Sequence, residues 1–336
     1  MILSIIIPVY NVGEFLSDCL DSVLACDLAD CEIILVLRPS TDGSEEICRA
    51  YQQKYPCIRV VRQEGKGLSN ARNCAACIAN GAYILFVDSD DNVDSLILNK
   101  LIGKLRSGTI TEDVVVTDFR RIEHQSGKIR PIFQIGADTP DTRGMQFAPQ
   151  FFRQHECFWN VWRYLYKRRF LTDHQIFFME NMLSEDIDFT TSVFLAEPEI
   201  LFTHSPFYFY NVDRGNSLMD IPTLRRLKET VFVLTHSIER LRNSRFPYRE
   251  IMAARYQFEY ILNIALAVEI EPSDRPEALS LFRDHESILK NSEDPLVRLF
   301  AGYIRLFGIP HCARFLHRLK IIRRQVRGKR KAVKNP

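Results

Sequence analysis

Residues Tyr83-Ile84-Leu85-Phe86-Val87-Asp88-Ser89-Asp90-Asp91 decide how the rest of the chain is read. Five apolar residues in an unbroken run, rich in aromatic and branched side chains, predict a strand buried on both faces. Three carboxylates follow within four residues. Such a cluster repels itself and resists desolvation, so a site that gathers it usually holds a cation. A hard divalent ion, Mg²⁺ or Mn²⁺, suits these oxygen ligands and keeps positions open for a phosphate-bearing substrate. The competing reading is an acidic turn in which Asp91 or Asp94 caps the next helix.

Outward from that strand, the chain alternates. Leu3 to Val9, Glu32 to Leu37 and Ile58 to Arg62 read as strands. Between them, Phe15, Leu16, Cys19, Leu20, Val23 and Leu24 recur at helical spacing, Pro39 to Gly43 forms a turn and cap, and a helix runs to about Tyr55. Gly65 and Gly67 open a loop, a helix starts at Ser69 or Asn70, and Gly81 ends it. A β-α-β-α-β-α-β order predicts an α/β fold, a mainly parallel Rossmann-like sheet with helices on both faces. Further on, Val114 to Asp118, Arg130 to Gln134, Ile200 to Thr203 and Phe207 to Tyr210 read as strands, and Arg143 to Gln154 and Ser184 to Leu195 as helices. Trp159 to Tyr166 is aromatic and basic. From Ile221 helical periodicity dominates, which puts a boundary near Asp220 and predicts residues 1–220 as one domain and 221–336 as a helical extension.

At 336 residues and 46% hydrophobic, the chain can bury a sizeable core. The formal charge of +2 is polarised: no Asp or Glu lies between Pro295 and Pro336, while arginines and lysines crowd the end. Nine cysteines, an odd number without a framework, indicate free thiols in a reducing cytoplasm, the Cys74-x-x-Cys77 pair among them. No apolar run approaches the roughly 20 residues that span a bilayer. The opening Met1 to Pro8 lacks a basic leader and a cleavage site, and reads as the first strand of the fold.

Four stretches, in order, carry a family resemblance: Ser4-Ile5-Ile6-Ile7-Pro8-Val9-Tyr10-Asn11, Gly67 to Asn73, Phe86-Val87-Asp88-Ser89-Asp90-Asp91, and Ser184-Glu185-Asp186-Ile187-Asp188-Phe189. Over Met1 to Ser217 the chain resembles the family 2 nucleotide-sugar glycosyltransferases, which share the Rossmann-like GT-A fold and a D-x-D metal site. The resemblance implies that Asp90 and Asp88 hold the metal, with Asp88 and Ser89 beside the nucleotide sugar. It also implies that Pro8, Val9, Tyr10 and Asn11 cup the base and that Arg72 reaches the base or the diphosphate. Asp186 matches the general base, paired with Glu185; a base near the acceptor hydroxyl takes its proton as the oxygen attacks the anomeric carbon, and a single displacement inverts. Arg214 and Ser217 match anion contacts of a loop over the diphosphate. Trp159 and Trp162 lie where family members shape the acceptor site, although core packing explains either one as well.

The chain departs from the family where a D-D-G-S-T-D sequence usually reads uracil. Here Leu37-Arg38-Pro39-Ser40-Thr41-Asp42 stands instead. A UDP-sugar donor is favoured on family prevalence, with a GDP-sugar as competitor. Val297, Phe300, Ile304, Phe307, Phe315, Leu319 and Ile322 lie among the basic residues of the tail. A basic amphipathic end implies attachment to the anionic inner face of a bacterial membrane, with nucleic-acid binding or a solvated tail as the alternatives. The expected enzyme is an inverting, metal-dependent glycosyltransferase of capsule, exopolysaccharide or lipopolysaccharide assembly, with a lipid-linked saccharide acceptor. The competing readings are a degenerate scaffold of the same fold and a nucleotidyltransferase. The latter would need a glycine- and lysine-rich phosphate loop after the first strand, where Val9-Tyr10-Asn11-Val12 stands.

Overall fold

The structure, a computed structural model, describes residues 1–123, 126–154, 158–212 and 222–332, with 323–332 as backbone only. It divides into two compact units, Met1–Gly215 and Asn216–Pro336. The first carries strands β1 (Leu3–Val9), β2 (Cys31–Leu37), β3 (Ile58–Arg62), β4 (Tyr83–Phe86), β5 (Asn92–Val93), β6 (Val114–Glu123), β7 (Lys128–Ile132), β8 (Thr142–Arg143), β9 (Tyr164–Lys167) and β10 (Ile200–Val212). Its helices are α1 (Gly13–Leu24), α2 (Ser44–Lys54), α3 (Gly67–Ile78), α4 (Ser95–Arg106), α5 (Ala148–Arg153), α6 (Arg168–Asp173) and α7 (Glu185–Leu195).

The strands form one sheet in the order β3-β2-β1-β4-β9-β6-β10-β5, with β7 on β6 and β8 on β10. The first four are parallel, as are β6 and β10. All residues of β1 and β2 are buried, which explains why they read as continuous apolar runs: a strand covered on both faces gains nothing from alternation. On α1 the buried residues are Leu16, Cys19, Leu20 and Val23, one stripe at helical spacing. Because β2 and β3 lie on one side of β1 and β4 on the other, the carboxyl ends of β1 and β4 flank a topological switch point, where open α/β sheets bind ligands.

Three expectations change. The aromatic stretch Trp159 to Tyr166 ends in β9, an antiparallel strand at the centre of the sheet between β4 and β6. Four residues are too short for periodicity to separate from a turn. Ile200 to Tyr210 is one long strand with a bulge between Thr203 and Tyr208. The helix expected from Arg143 starts only at Ala148; Arg143 pairs with Leu201, and Gly144 at φ 86° breaks the chain direction.

The second unit holds α8 (Leu224–Arg242), α9 (Arg249–Ile264), α10 (Arg275–Asp284), α11 (Pro295–Phe307) and α12 (Ile309–Ala332). No helix among the described residues is long and apolar enough to cross a membrane.

One buried clamp joins β10 to the turn after β4. Asp91 is 1% exposed and accepts from the Tyr208 hydroxyl at 2.8 Å and the Asn211 amide at 2.7 Å. The Tyr208 hydroxyl also accepts from the Asp88 amide at 3.1 Å. Asp91 is therefore a structural acid, and Asp94 caps α4 by accepting from the Ile97 amide. Replacing Asp91 by Ala leaves two buried donors without their acceptor, at roughly 1–3 kcal/mol each. Denaturant titration should show a loss of about 3 kcal/mol; a loss below about 0.5 kcal/mol would remove the clamp from the account.

Candidate active site

The centre of the site is Arg72, on α3, which is 1% exposed. Its Nη1 donates to Glu185 Oε1 at 2.9 Å and to Asp186 Oδ1 at 2.8 Å, and its Nη2 donates to Asp88 Oδ1 at 2.8 Å. One guanidinium thus ties the acids after β4 to those that open α7. Burial works against the Arg72 charge, but Asp186, Asp88 and Glu185 outweigh it and hold the side chain protonated. The sequence resemblance sent Arg72 to the base or the diphosphate. In the structure its guanidinium meets three carboxylates.

Around this tie, α3 also holds the approach to α7. Asn73 brackets Phe178, accepting from its amide at 2.9 Å and donating to its carbonyl at 2.9 Å. Phe178 stacks on Phe189 of α7 at 3.9 Å, and the Arg72 guanidinium lies 5.2 Å from the Phe178 ring. Ser184, at φ 65°, takes the left-handed region immediately before the helix, a strained conformation for a side-chain-bearing residue. The turn places Glu185 and Asp186 in the first turn of α7, where the helix dipole favours negative charge.

The two acids differ in access. Glu185 has 9% of its side chain exposed and Asp186 20%. Burial raises the pKa of both; for Glu185 the neighbouring Asp186 charge adds to it, and for Asp186 the Arg72 charge opposes the rise. Asp88 keeps 27% of its side chain exposed, and Asp90 is half-buried. Three carboxylates sharing one guanidinium leave net negative charge at the mouth of the switch point.

Among the described residues, no three His, Cys, Asp or Glu side chains converge as a cage for a metal. The donor set instead suits a hard divalent ion that takes one or two carboxylates and completes its shell with substrate phosphate and water, the usual habit of Mg²⁺. Asp88 meets that requirement, because only its Oδ1 is engaged by Arg72.

Of the other expected residues, Pro8 and Val9 are buried within β1 and offer a ligand their backbone only; Ser89 is also buried. Tyr10 and Asn11 are exposed. Arg214 and Ser217 lie outside the described residues. Trp162 is 3% exposed and stacks on Tyr208 at 4.2 Å and against Phe119 at 4.8 Å; Trp159 is 8% exposed. Both indoles pack within the core, the packing reading that the sequence also offered. Sequence reasoning placed Tyr208 at the head of a family-like Y-x-Y stretch but missed it as the group that bridges Asp91 to the Asp88 amide.

The sequence profile described as glycosyl transferase family 2 matches residues 4–175. The chain belongs to that family. It is 35% identical over 224 residues to the uncharacterized glycosyltransferase EpsJ of Bacillus subtilis, a match covering 66% of this chain and 64% of EpsJ. It is 30% identical over 226 residues to the poly(ribitol-phosphate) beta-glucosyltransferase of Bacillus spizizenii, covering 66% of this chain and 34% of that one. The matches thus span less than two thirds of either relative's own length. The fold superimposes on residues 1–349 of Staphylococcus aureus TarS in complex with UDP-GlcNAc with a TM-score of 0.74, at 20% identity, over 95% of this chain and 91% of that one. The Rossmann-like GT-A architecture and the family assignment therefore agree.

Arg72→Met would leave three carboxylates without their shared cation. Removing one partner from a buried ion group costs about 3–5 kcal/mol. Because protonation discharges the stranded acids, the deficit should shrink as pH falls. Urea denaturation at pH 7.5 and pH 5.5 checks both points, and a deficit that is the same at both pH values would refute the electrostatic account.

Proposed function

We propose that the chain is an inverting glycosyltransferase that moves a sugar from a nucleoside-diphosphate donor to a saccharide acceptor in cell-surface polysaccharide assembly. The observation that carries this reading is the Arg72 tie, which joins the D-x-D acids after β4 to the acid pair that opens α7. Donor-side and acceptor-side chemistry then meet at one buried cation.

Asp186 acts as the general base. It is the more exposed of the pair, its Oδ1 is oriented by Arg72, and burial lifts its pKa toward the range where a carboxylate accepts a proton well. Glu185 holds Arg72 in place from the buried side. Asp90 and Asp88 would hold Mg²⁺ or Mn²⁺, which when bound offsets the charge gathering on the departing diphosphate. Tyr10 and Asn11, at the end of β1, face the nucleoside. The nucleotide-sugar class is shared with the UDP-GlcNAc complex of TarS, and a poly(ribitol-phosphate)-type or lipid-linked saccharide is the acceptor class in keeping with the relatives.

Asp186→Asn should lower kcat by roughly 10²–10⁴ while leaving nucleotide affinity within about threefold. In the unsubstituted enzyme, kcat/KM should fall as pH drops through a pKa above the ordinary carboxylate range, because the base must be ionised to accept the proton. Asp90→Ala should abolish the metal dependence of nucleotide binding measured by calorimetry. Full activity in Asp186→Asn would remove it as the base.

The second unit supplies the attachment to an anionic membrane. Val297 and Ile304, expected in the apolar face of the tail, are buried. The exposed stripe is instead Leu299, Leu306 and Phe307 on α11 with Phe315, Leu319 and Ile322 on α12. Arg298, Arg305, Arg314 and Arg318 adjoin it in sequence. Basic side chains near an anionic surface contribute about 1 kcal/mol each, and the exposed apolar side chains insert at the headgroup level. Flotation with phosphatidylglycerol vesicles should carry the full chain upward and lose the variant Leu299→Ser/Leu306→Ser/Phe307→Ser. Wild-type protein that stays in solution would sink this part of the reading.

A further inference from the structure

The loops after β1 and β2 are bound together into one rigid rim. The Asn11 amide donates to Ser40 Oγ at 3.1 Å and the Thr41 amide to Asn11 Oδ1 at 3.0 Å. The Val12 amide donates to Ser44 Oγ at 3.0 Å and the Gly13 amide to Asp42 Oδ2 at 2.7 Å. At Gly13 the approach is so close that a Cβ would lie 2.4 Å from the Asp42 carbonyl oxygen, so only glycine fits. Asn11 itself sits at φ 47°, in the left-handed region that asparagine tolerates.

This rim displays two side chains. Tyr10 is 46% exposed, and the Arg38 guanidinium carbon lies 4.1 Å from its ring centroid. Among the described residues Arg38 makes no ion pair, in contrast to Arg72, Arg106 and Arg120, each of which meets a carboxylate. Leu37, one residue before, is 3% exposed in the core, so it presents nothing to a ligand. Pro39, one residue after, has no amide hydrogen. The rim therefore offers an aromatic surface and a planar fork of donors, with no side-chain acceptor on Leu37, Arg38 or Pro39 to meet a base N–H, and the Leu37 and Arg38 carbonyls already accept from the Gln63 amide and the Ser40 hydroxyl.

Arg38 follows β2 and the D-x-D acids follow β4, with β1 between them. Two strand spacings separate them by roughly 10 Å. A ligand whose diphosphate lies at Asp88 and Asp90 would thus carry its base, rather than its phosphates, toward Arg38.

We propose that Arg38, backed by Tyr10, is the specificity-determining residue of the donor site and selects a guanine nucleotide over a uridine one. Guanine presents O6 and N7 as adjacent acceptors, which a guanidinium fork meets with two hydrogen bonds. The N3–H of uracil lies between its two carbonyls and meets donors with a donor. The larger purine also covers more of the exposed ring. The inference rests on the transferase reading above and replaces the UDP preference drawn from family prevalence.

Calorimetry with Mn²⁺ and GDP, UDP or inorganic pyrophosphate tests it on the full chain. GDP should bind at least about 10-fold more tightly than UDP, the lower range for one bidentate contact. Arg38→Ala should erase that preference without altering pyrophosphate binding. Arg38→Lys should do the same, since a lysine keeps the charge but lacks the fork. Tyr10→Ala should weaken both nucleotides by roughly 10-fold, the stacking contribution. UDP binding more tightly than GDP, or a loss in Arg38→Ala that falls equally on pyrophosphate, would overturn the assignment while leaving the transferase reading intact. Binding of none of the three would overturn both.

Discussion

A single buried guanidinium holds the candidate site of the first unit together. Arg72 would be a costly unpaired charge at 1% exposure without its carboxylates, and three carboxylates would repel one another there without it. The mutual dependence has a geometric result. Asp88 belongs to the turn after β4, whereas Glu185 and Asp186 belong to a helix about a hundred residues later, and the shared cation fixes their separation. A rigid planar fork holds that separation more firmly than a lysine could.

The surrounding polar contacts extend the same logic. Asp91 absorbs the Tyr208 hydroxyl and the Asn211 amide, so β10 cannot slide against the acidic turn. Asn73 brackets Phe178 and steadies the segment that leads into α7. Each uses a buried hydrogen-bond geometry to place a neighbouring element of the candidate site. The rim of the β1 and β2 loops is built in the same way, with side-chain oxygens of one loop satisfying backbone amides of the other.

The helical unit follows a different principle. Its α11 hides Val297 and Ile304, yet leaves Leu299, Leu306 and Phe307 in solvent, and no acidic residue occurs from Pro295 onward. Exposed apolar side chains alternating with arginines are costly on a surface that faces only water and favourable on one that meets an anionic interface.

Read alone, the sequence determined the parallel half of the sheet, because strands buried on both faces leave continuous apolar runs and helices leave a 3.6-residue period. It also determined the candidate acids, since Asp88, Asp90, Glu185 and Asp186 fall in short motifs at element ends. What it left open needed contacts between distant segments. The central antiparallel β9 is too short to announce itself, and Trp162 reads the same whether it stacks on a sugar or on Tyr208. The three carboxylate partners of Arg72 and the place of Arg38 over Tyr10 are likewise absent from any local pattern. Local pattern records which face of an element is apolar, whereas the partner of a charge or a ring is set by tertiary packing across many residues of chain, and only the folded structure decides it.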